Sequence, residues 1–139
     1  MVTRLIMIRL AIVVIAAALL VSSARASPRV VDGDTIDFDG VPVRILAIDT
    51  PETWKPRCKN ELALGLLAKQ RLQQLVDAGD VRFEATGYDR FGRVLANVFA
   101  GKLDVGKVLL DEGYALPYVP GPVDKARRLA IWCPTEKQP

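Results

Sequence analysis

Two strands joined by a tight turn most restrict the folds that this chain can adopt. Residues 35–39 ("TIDFD") alternate apolar and polar side chains, the pattern of a strand with one face on a core. Asp39-Gly40 follows and is a strong signal for a two-residue hairpin turn. Residues 41–48 ("VPVRILAI") then return as a mostly apolar partner strand. We therefore expect an antiparallel hairpin near the start of the folded domain.

The remainder of the chain adds one long helix, two strands and two short helices. Residues 61–79 have helical periodicity, with Leu62, Leu66 and Leu72 on the predicted apolar side and Gly79 as the stop. The other predicted elements are strands at 81–86 and 94–100 and helices at 105–112 and 124–132. Adjacent strands with helices attached indicate an α+β fold, and a barrel of this kind is a five-stranded OB-type β-barrel with three helices.

The first 26 residues have the pattern of a secretory signal peptide. Arg4 and Arg9 give a charged start, residues 10–21 are apolar, and Ala24 and Ala26 occupy the −3 and −1 positions of a cleavage site after Ala26. The apolar run is short of the roughly 20 residues that a membrane-spanning helix needs, although an uncleaved anchor is the alternative. We expect residues 27–139 to form one domain, secreted or periplasmic, with no stable membrane association after cleavage.

The formal charge of +3 belongs to this leader. The chain has 19 basic and 16 acidic residues, and three arginines but no acid lie in the first 26 positions. The remaining domain is therefore close to neutral and has no overall basic surface of the kind that binds nucleic acid. Any anion site must be local.

Histidine is absent and cysteine occurs twice. Without histidine, Ser-His-Asp and Cys-His catalysis are excluded. Cys58 and Cys133 fall short of the four nitrogen or sulfur ligands of a structural zinc site. Both belong to the exported part, where an oxidising compartment favours a disulfide between them.

Acidic residues lie where two predicted strands begin or end. Asp34 precedes the first strand of the hairpin, and Asp49, Thr50 and Glu52 follow its second strand. Carboxylate and carbonyl oxygens are the ligands of hard divalent cations such as Ca²⁺, although such a site accepts other divalent ions. Glu52, one step further out, could act on a water beside the metal.

Two arginines accompany these acids. Arg44 lies within the hairpin and Arg93 closes the "DRFGR" turn. Arg44 and Asp49 are five residues apart and would point to opposite faces of a regular strand, unless curvature or a bulge aims both at one site. One guanidinium group can bind two phosphate oxygens at once, through two parallel N–H donors. Acids, a base and phosphate-binding arginines together suit metal-assisted phosphodiester hydrolysis.

These motifs in their order resemble the staphylococcal-nuclease-like (thermonuclease) family. The segments are "VVDGDTIDF", "GVPVRILAIDTPET", "GYDRFGRVLANVFA" and "DVGKVLLDEGYA", and the likeness extends from about Val30 to Tyr118. The resemblance implies an OB-type barrel with three helices and a Ca²⁺-dependent nuclease that acts on DNA and RNA.

The resemblance also implies a role for six residues, none of which is substituted. It implies metal ligation by two carboxylates and a carbonyl: Asp34, Asp49 and Thr50. It implies catalysis by one carboxylate, which positions or deprotonates the attacking water, and two phosphate-binding guanidinium groups: Glu52, Arg44 and Arg93.

Some aromatic positions depart from the family pattern. Phe91 stands where the best-known member carries a tyrosine near the substrate phosphate. Tyr114 and Tyr118 lie in a segment that follows the family's tyrosine-bearing loop only loosely. They are candidates for stacking on substrate bases, and ordinary rim or core aromatics are the alternative.

The sequence thus predicts an exported, monomeric, Ca²⁺-dependent endonuclease that hydrolyses DNA and RNA and leaves 3′-phosphate ends. The alternative is a non-catalytic OB-type module that binds nucleic acid or oligosaccharide. The neutral charge of the domain favours that alternative, because non-specific nucleic-acid binding depends on phosphate neutralisation. The complete set of acids and arginines favours the enzyme.

Overall fold

Eight strands and three helices build residues 28–134, the part of the chain that this computed structural model describes. The predicted signal peptide lies outside the described residues. The strands are β1 (Arg29–Asp32), β2 (Thr35–Phe38), β3 (Val41–Ile45), β4 (Ile48–Asp49), β5 (Val81–Tyr88), β6 (Val94–Ala100), β7 (Leu103–Asp104) and β8 (Leu116–Pro117). The helices are α1 (Lys59–Ala78), α2 (Val105–Asp111) and α3 (Pro122–Trp132).

The predicted hairpin is present as the antiparallel pair β2–β3, with Phe38 opposite Val41. Asp39 and Gly40 have φ of 53° and 89°. Positive φ at both central residues is the geometry of a two-residue hairpin turn that matches the twist of the strands. The Asp-Gly signal was therefore a correct guide to this register.

The main sheet is mixed and has the strand order β1-β2-β3-β6-β5, with β7 added beside β6. All of its pairs are antiparallel except β3–β6, which is parallel. β4 and β8 form a separate antiparallel pair. The α+β class and the three helices agree with the prediction. The closed five-stranded barrel does not: within residues 28–134 the hydrogen-bonded path is open, because β1 and β5 stand at its two ends.

The second strand of the hairpin ends earlier than predicted. β3 stops at Ile45, a turn follows at Leu46 and Ala47, and β4 begins at Ile48. Ala47 has φ of 62°, a left-handed conformation that alanine rarely adopts. The predicted strand at 41–48 is thus two strands with a reversal between them, and this reversal determines where Asp49 lies.

The helices pack on the sheet around one hydrophobic core. Leu72, Leu75 and Val76 of α1 are buried in it. The predicted apolar side of α1 was partly wrong, since Leu62 and Leu66 are exposed. The face that packs inward instead carries small residues at its start, which allow the helix to approach the loop at Pro51 and the turn at Gly33 closely: Gly65 and Ala68.

A disulfide joins α1 and α3. Cys58, the N-cap residue of α1, is bonded to Cys133, the C-cap residue of α3, as the sequence predicted. α3 itself begins at Pro122, two residues earlier than predicted, with Gly121 as its N-cap and proline at a position suited to the first helical turn. In the part of the chain that the structure describes, no helix has the length and apolar character needed to cross a membrane.

Candidate active site

The reversal at Ala47 brings Arg44 and Asp49 together. Arg44 Nη2 donates to Asp49 Oδ1 at 2.9 Å, and Arg44 Nη1 donates to the carbonyls of Ile45 and Ile48, each at 2.8 Å. The guanidinium therefore closes the same turn that carries Asp49. A regular strand would have placed the two side chains on opposite faces.

Asp34 joins this pair from the turn before β2. Its Oδ2 lies 3.1 Å from Arg44 Nη2 and accepts a hydrogen bond from the backbone N–H of Thr50 at 3.1 Å. Its Oδ1 accepts from the Thr35 hydroxyl at 3.0 Å. One arginine nitrogen thus bridges both predicted metal carboxylates, Asp34 and Asp49.

The loop that carries Glu52 is fixed from two sides by glycines. A Cβ on Gly33 would lie 2.7 Å from Thr50 Oγ1, and a Cβ on Gly65 would lie 2.6 Å from the carbonyl oxygen of Pro51. Only glycine permits such close approach. Glu52 follows directly, and its Oε1 accepts from the backbone N–H of Trp54 at 2.8 Å.

Arg93 is oriented by the turn between β5 and β6. Asp89 Oδ2 accepts from Arg93 Nε at 2.7 Å, and Asp89 Oδ1 accepts from the backbone N–H groups of Phe91 and Arg93. Partial desolvation acts to raise the pKa of Asp89, but these hydrogen bonds outweigh it and lower that pKa. No hydrogen bond of the Arg93 Nη groups is described within residues 28–134, so they are available to an anion.

The six predicted site residues come from separate strands and turns, yet all six line one open cavity of about 950 Å³. Acidic side chains line it together with arginines and lysines. The predicted residues among its lining are Asp34, Arg44, Asp49, Thr50, Glu52 and Arg93.

Sequence reasoning missed Arg128, which completes this cluster from α3. Its Nε donates to Asp49 Oδ2 at 2.8 Å, and its Nη1 donates to the Val119 carbonyl at 3.1 Å. The side chain is only 8% exposed. Both oxygens of Asp49 are therefore held by arginines, Arg44 on one side and Arg128 on the other. No local pattern points to Arg128, because it lies 79 residues from its partner.

Asp32 is a second residue that was missed, and the "VVDGDT" motif could have indicated it. It lines the cavity, and its Oδ1 accepts from the Gly33 N–H at 2.8 Å and from the Thr53 hydroxyl at 3.0 Å. Burial raises the pKa of Asp32, and the charges of Asp34 and Glu52 add to this effect against those hydrogen bonds.

The electrostatics of Asp49 show how closely the acids are gathered. Burial raises the pKa of Asp49, and the negative charge of Asp34 raises it further. Arg44 and Arg128 work in the opposite direction without reversing the shift. A further positive charge beside Asp49 would relieve the same repulsion.

The donor set fits a hard divalent cation. It consists of oxygens alone, from Asp34 and Asp49 and from the Thr50 backbone, without thiolate or imidazole. No group of three or more acidic, cysteine or histidine side chains suited to a metal occurs among residues 28–134, so carbonyl and water oxygens would have to complete the shell. Carboxylate oxygens have more than one lone pair and can accept from Arg44 while they ligate a metal.

The two tyrosines predicted to stack on substrate bases lie in different environments. Tyr118 is 49% exposed, lines the cavity and lies against the Arg128 guanidinium, 5.3 Å from its ring centroid. Tyr114 is half-buried, packs against the hydrophobic core and is not among the residues that line the cavity. Phe91 lies on the cavity rim near Arg93.

Comparison with known proteins gives one family match. Residues 42–132 match the family described as "Staphylococcal nuclease homologue". The chain is 38% identical over 125 residues to the SPbeta prophage-derived endonuclease YokF of Bacillus subtilis, which covers 75% of this chain and 42% of that protein. It is 35% identical over 118 residues to the thermonuclease of Staphylococcus intermedius, which covers 79% of this chain and 68% of that protein.

A third relative has a name of a different kind. The chain is 32% identical over 93 residues to the succinoglycan biosynthesis protein ExoI of Rhizobium meliloti, which covers 63% of this chain and 48% of that protein. The chain spans less than half the length of YokF and of ExoI. Segments of those proteins therefore lie beyond the shared domain.

Proposed function

Because the chain belongs to the staphylococcal nuclease homologue family, we propose that it is an endonuclease that hydrolyses phosphodiester bonds of DNA and RNA. We further propose that Ca²⁺ assists the reaction and that the products carry 3′-phosphate ends. The observation that carries this proposal is the convergence of Asp34, Asp49, Glu52 and Arg93 on one open cavity.

The arginines have different tasks in this proposal. Arg93 keeps its Nη groups directed to the substrate phosphate, because Asp89 binds its Nε. Arg44 is only 11% exposed and gives four hydrogen bonds or ion-pair contacts to protein oxygens. Arg44 therefore mainly holds Asp34 and Asp49 in place and offers the phosphate the Nε–H, for which no contact is described in residues 28–134.

The chemistry assigned to Glu52 is general-base catalysis. Its carboxylate accepts a proton from a water, whose oxygen forms a new bond to phosphorus while the bond from phosphorus to the 5′ oxygen breaks. The 5′ oxygen leaves and takes a proton from solvent water to become a hydroxyl, Glu52 returns its proton to solvent, and the phosphate remains on the 3′ side. A Ca²⁺ ion bound by Asp34, Asp49 and the Thr50 carbonyl would neutralise negative charge on the phosphate.

A digestion assay tests the function. Heat-denatured DNA and RNA are incubated with the protein in the presence of Ca²⁺, of a chelator, and of a chelator followed by excess Ca²⁺. We expect cleavage only in the first and third samples, with fragments that a 3′-phosphatase converts to substrates for 3′ extension. Cleavage that persists in the chelator would contradict the role of the metal, and absence of cleavage in all three would contradict the nuclease.

Substitution of the proposed base gives the sharpest single variant. Glu52→Gln keeps the size of the side chain and its hydrogen bond from Trp54 but cannot accept the proton, so we expect cleavage to fall about 10²- to 10⁴-fold. Glu84→Gln is the matched control, because Glu84 is exposed and pairs with Arg82 away from the cavity. Arg93→Ala should cause a loss of similar order. Full activity of either site variant would refute its assigned role.

The second candidate function is a module that binds nucleic acid or oligosaccharide without cleaving it. The name of ExoI refers to the synthesis of a polysaccharide, and the domain lacks an excess of basic residues. Retention of uncut DNA, or of an oligosaccharide, by a protein that is inactive in the digestion assay would favour this candidate.

We also propose that the protein is exported and monomeric. The disulfide between Cys58 and Cys133 supports export, because such bonds persist mainly in oxidising compartments. Fractionation of cells that express the full chain should recover protein that begins at Ser27 outside the cytoplasm. Full-length protein that remains in the cytoplasm would contradict export.

A further inference from the structure

An exposed tryptophan stands beside the proposed base. Trp54 is 75% exposed and lines the same cavity as Glu52 and Arg93. Exposure of so large an aromatic surface is costly in water, and such residues mark binding sites more often than ordinary surface.

The position of Trp54 is coupled to that of Glu52. The backbone N–H of Trp54 donates to Glu52 Oε1 at 2.8 Å, and the preceding Thr53 is tied to Asp32 at 3.0 Å. Lys55, the next residue, has φ of 57° and turns the chain sharply. The backbone of Trp54 therefore lies next to the carboxylate that acts on the water, and both side chains line the same cavity.

One lysine lies over the indole and a second lines the same cavity. Lys55 Nζ lies 5.8 Å from the centroid of the Trp54 ring, and Lys125 of α3 lines the same cavity. Neither lysine has an ion pair described within residues 28–134. A ligand for this place should thus combine a flat π face with negative charge, which is the chemistry of a nucleotide within a strand.

We propose that Trp54 forms a stacking subsite for an unpaired nucleobase next to the phosphodiester that is hydrolysed, with Lys55 and Lys125 against the flanking phosphates. This inference rests on the proposed function, because it names the substrate form that the same cavity takes. Base pairs in a duplex are already stacked on each other, so the subsite should act on single strands.

Binding without cleavage tests the subsite. The anisotropy of a labelled single-stranded DNA oligonucleotide, alone or annealed to its complement, is measured in chelator with wild-type protein and three variants. Trp54→Ala should weaken single-strand binding roughly 5- to 100-fold, the range found for loss of one base–aromatic stack. Trp54→Phe retains an aromatic face and should lose about threefold or less.

Tyr88→Ala is the matched control. Tyr88 is also 75% exposed but does not line the cavity, so its loss should leave binding unchanged. Duplex binding should differ little between wild type and Trp54→Ala. Unchanged single-strand binding in Trp54→Ala, or an equal loss for the duplex, would overturn the subsite.

Tryptophan fluorescence supplies a second measurement that does not depend on the alanine variant. The only other tryptophan, Trp132, is buried, so quenching by the oligonucleotide in wild type and its loss in Trp54→Phe would support stacking. Quenching by a neutral oligosaccharide but not by the oligonucleotide would overturn it. A protein that binds through Trp54 but cuts no DNA would refute the nuclease alone, and one that cuts DNA with unchanged Trp54→Ala binding would refute the subsite alone.

Discussion

Single residues in this site act through their partners, and Asp49 is the clearest case. Arg44 holds one of its oxygens and Arg128 the other. The sequence indicated Asp49 and Arg44 as members of one site, although a regular strand would have put them on opposite faces unless curvature or a bulge brought them together. The left-handed Ala47 resolves this conflict, and nothing in the local sequence announces that conformation.

Removal of Arg128 should destabilise the protein and change the pKa of Asp49. Arg128→Ala leaves a poorly solvated carboxylate with one partner fewer, so we expect the free energy of unfolding to fall by roughly 1–3 kcal/mol. The pKa of Asp49 should rise further, because Arg128 is one of the groups that hold it down. Urea unfolding and a carbon NMR titration of Asp49 measure the two effects.

The adjacent Arg127 provides the control. It is 73% exposed, and its one ion pair within residues 28–134 is with the half-buried Asp124 on the same helix, so Arg127→Ala should change the unfolding free energy by less than about 0.5 kcal/mol. If both substitutions lowered the unfolding free energy equally, the contact between Arg128 and Asp49 would not contribute to stability as proposed.

At the scale of elements, the turn between β5 and β6 orients the Arg93 side chain. The "GYDRFGR" segment predicted a turn, and the structure shows that its first acid binds its last arginine. The pattern of alternation predicted β5 and β6 well, although β5 continues to Tyr88. The sequence could not show which atoms of Arg93 the turn would leave available.

The stability given by Asp89 should depend on pH. Because the pKa of Asp89 is lowered in the folded state, its contribution is complete above the unfolded value of about 3.9 and is lost as the pH falls through the lower folded value. The difference in unfolding free energy between wild type and Asp89→Asn should therefore be constant from pH 7 to about pH 5 and should shrink below about pH 4. A difference that grows on acidification would contradict the ion pair.

The disulfide links the two helices that border the cavity. It could be predicted because the chain has only two cysteines and a leader for export, whereas its effect on the site requires the structure. Cys133 ends the helix that carries Arg128, and Cys58 begins the helix that packs on the acidic loop.

Loss of this bond should cost about 4 kcal/mol of stability, from the larger entropy of the unfolded chain. The test is the double variant Cys58→Ser and Cys133→Ser, in which the hydroxyl introduced at position 58 can still cap α1. The unfolding midpoint of the double variant should match that of the reduced wild type. In hydrogen exchange of the double variant, the backbone amides of α3 should exchange faster than those of the other helices. Identical midpoints for oxidised and reduced wild type would contradict this contribution.

For the whole molecule, the sequence predicted the α+β class and the three helices correctly, but it did not predict that the sheet is open. Strand and helix order gave the α+β class, because each element has its own periodicity. Whether a sheet closes into a barrel depends on the twist accumulated over all its strands and on whether the two edge strands meet. No single residue in the edge strands β1 and β5 determines this.

The whole molecule should become more stable when the proposed metal binds. Ca²⁺ that binds only the folded state at 100 times its dissociation constant adds about 2.7 kcal/mol, which raises the melting temperature by roughly 10 °C. Asp49→Asn should abolish this rise, whereas Asp111→Asn, at an exposed pair with Lys107, should retain it. A wild-type melting temperature that does not respond to Ca²⁺ would contradict the metal site.

The close packing of Gly65 on Pro51 has a consequence for engineering. The segment that bears Thr50 and Glu52 rests on the backbone of α1 at Gly65, and the hydrogen bonds of Thr53 and Trp54 hold it from the other side. Substrate preference could therefore be redesigned through the exposed side chains of Trp54 and Lys55, while the backbone contacts that fix the acids are kept. An alanine at position 65 would instead push helix and loop apart and displace the acids without touching any of them.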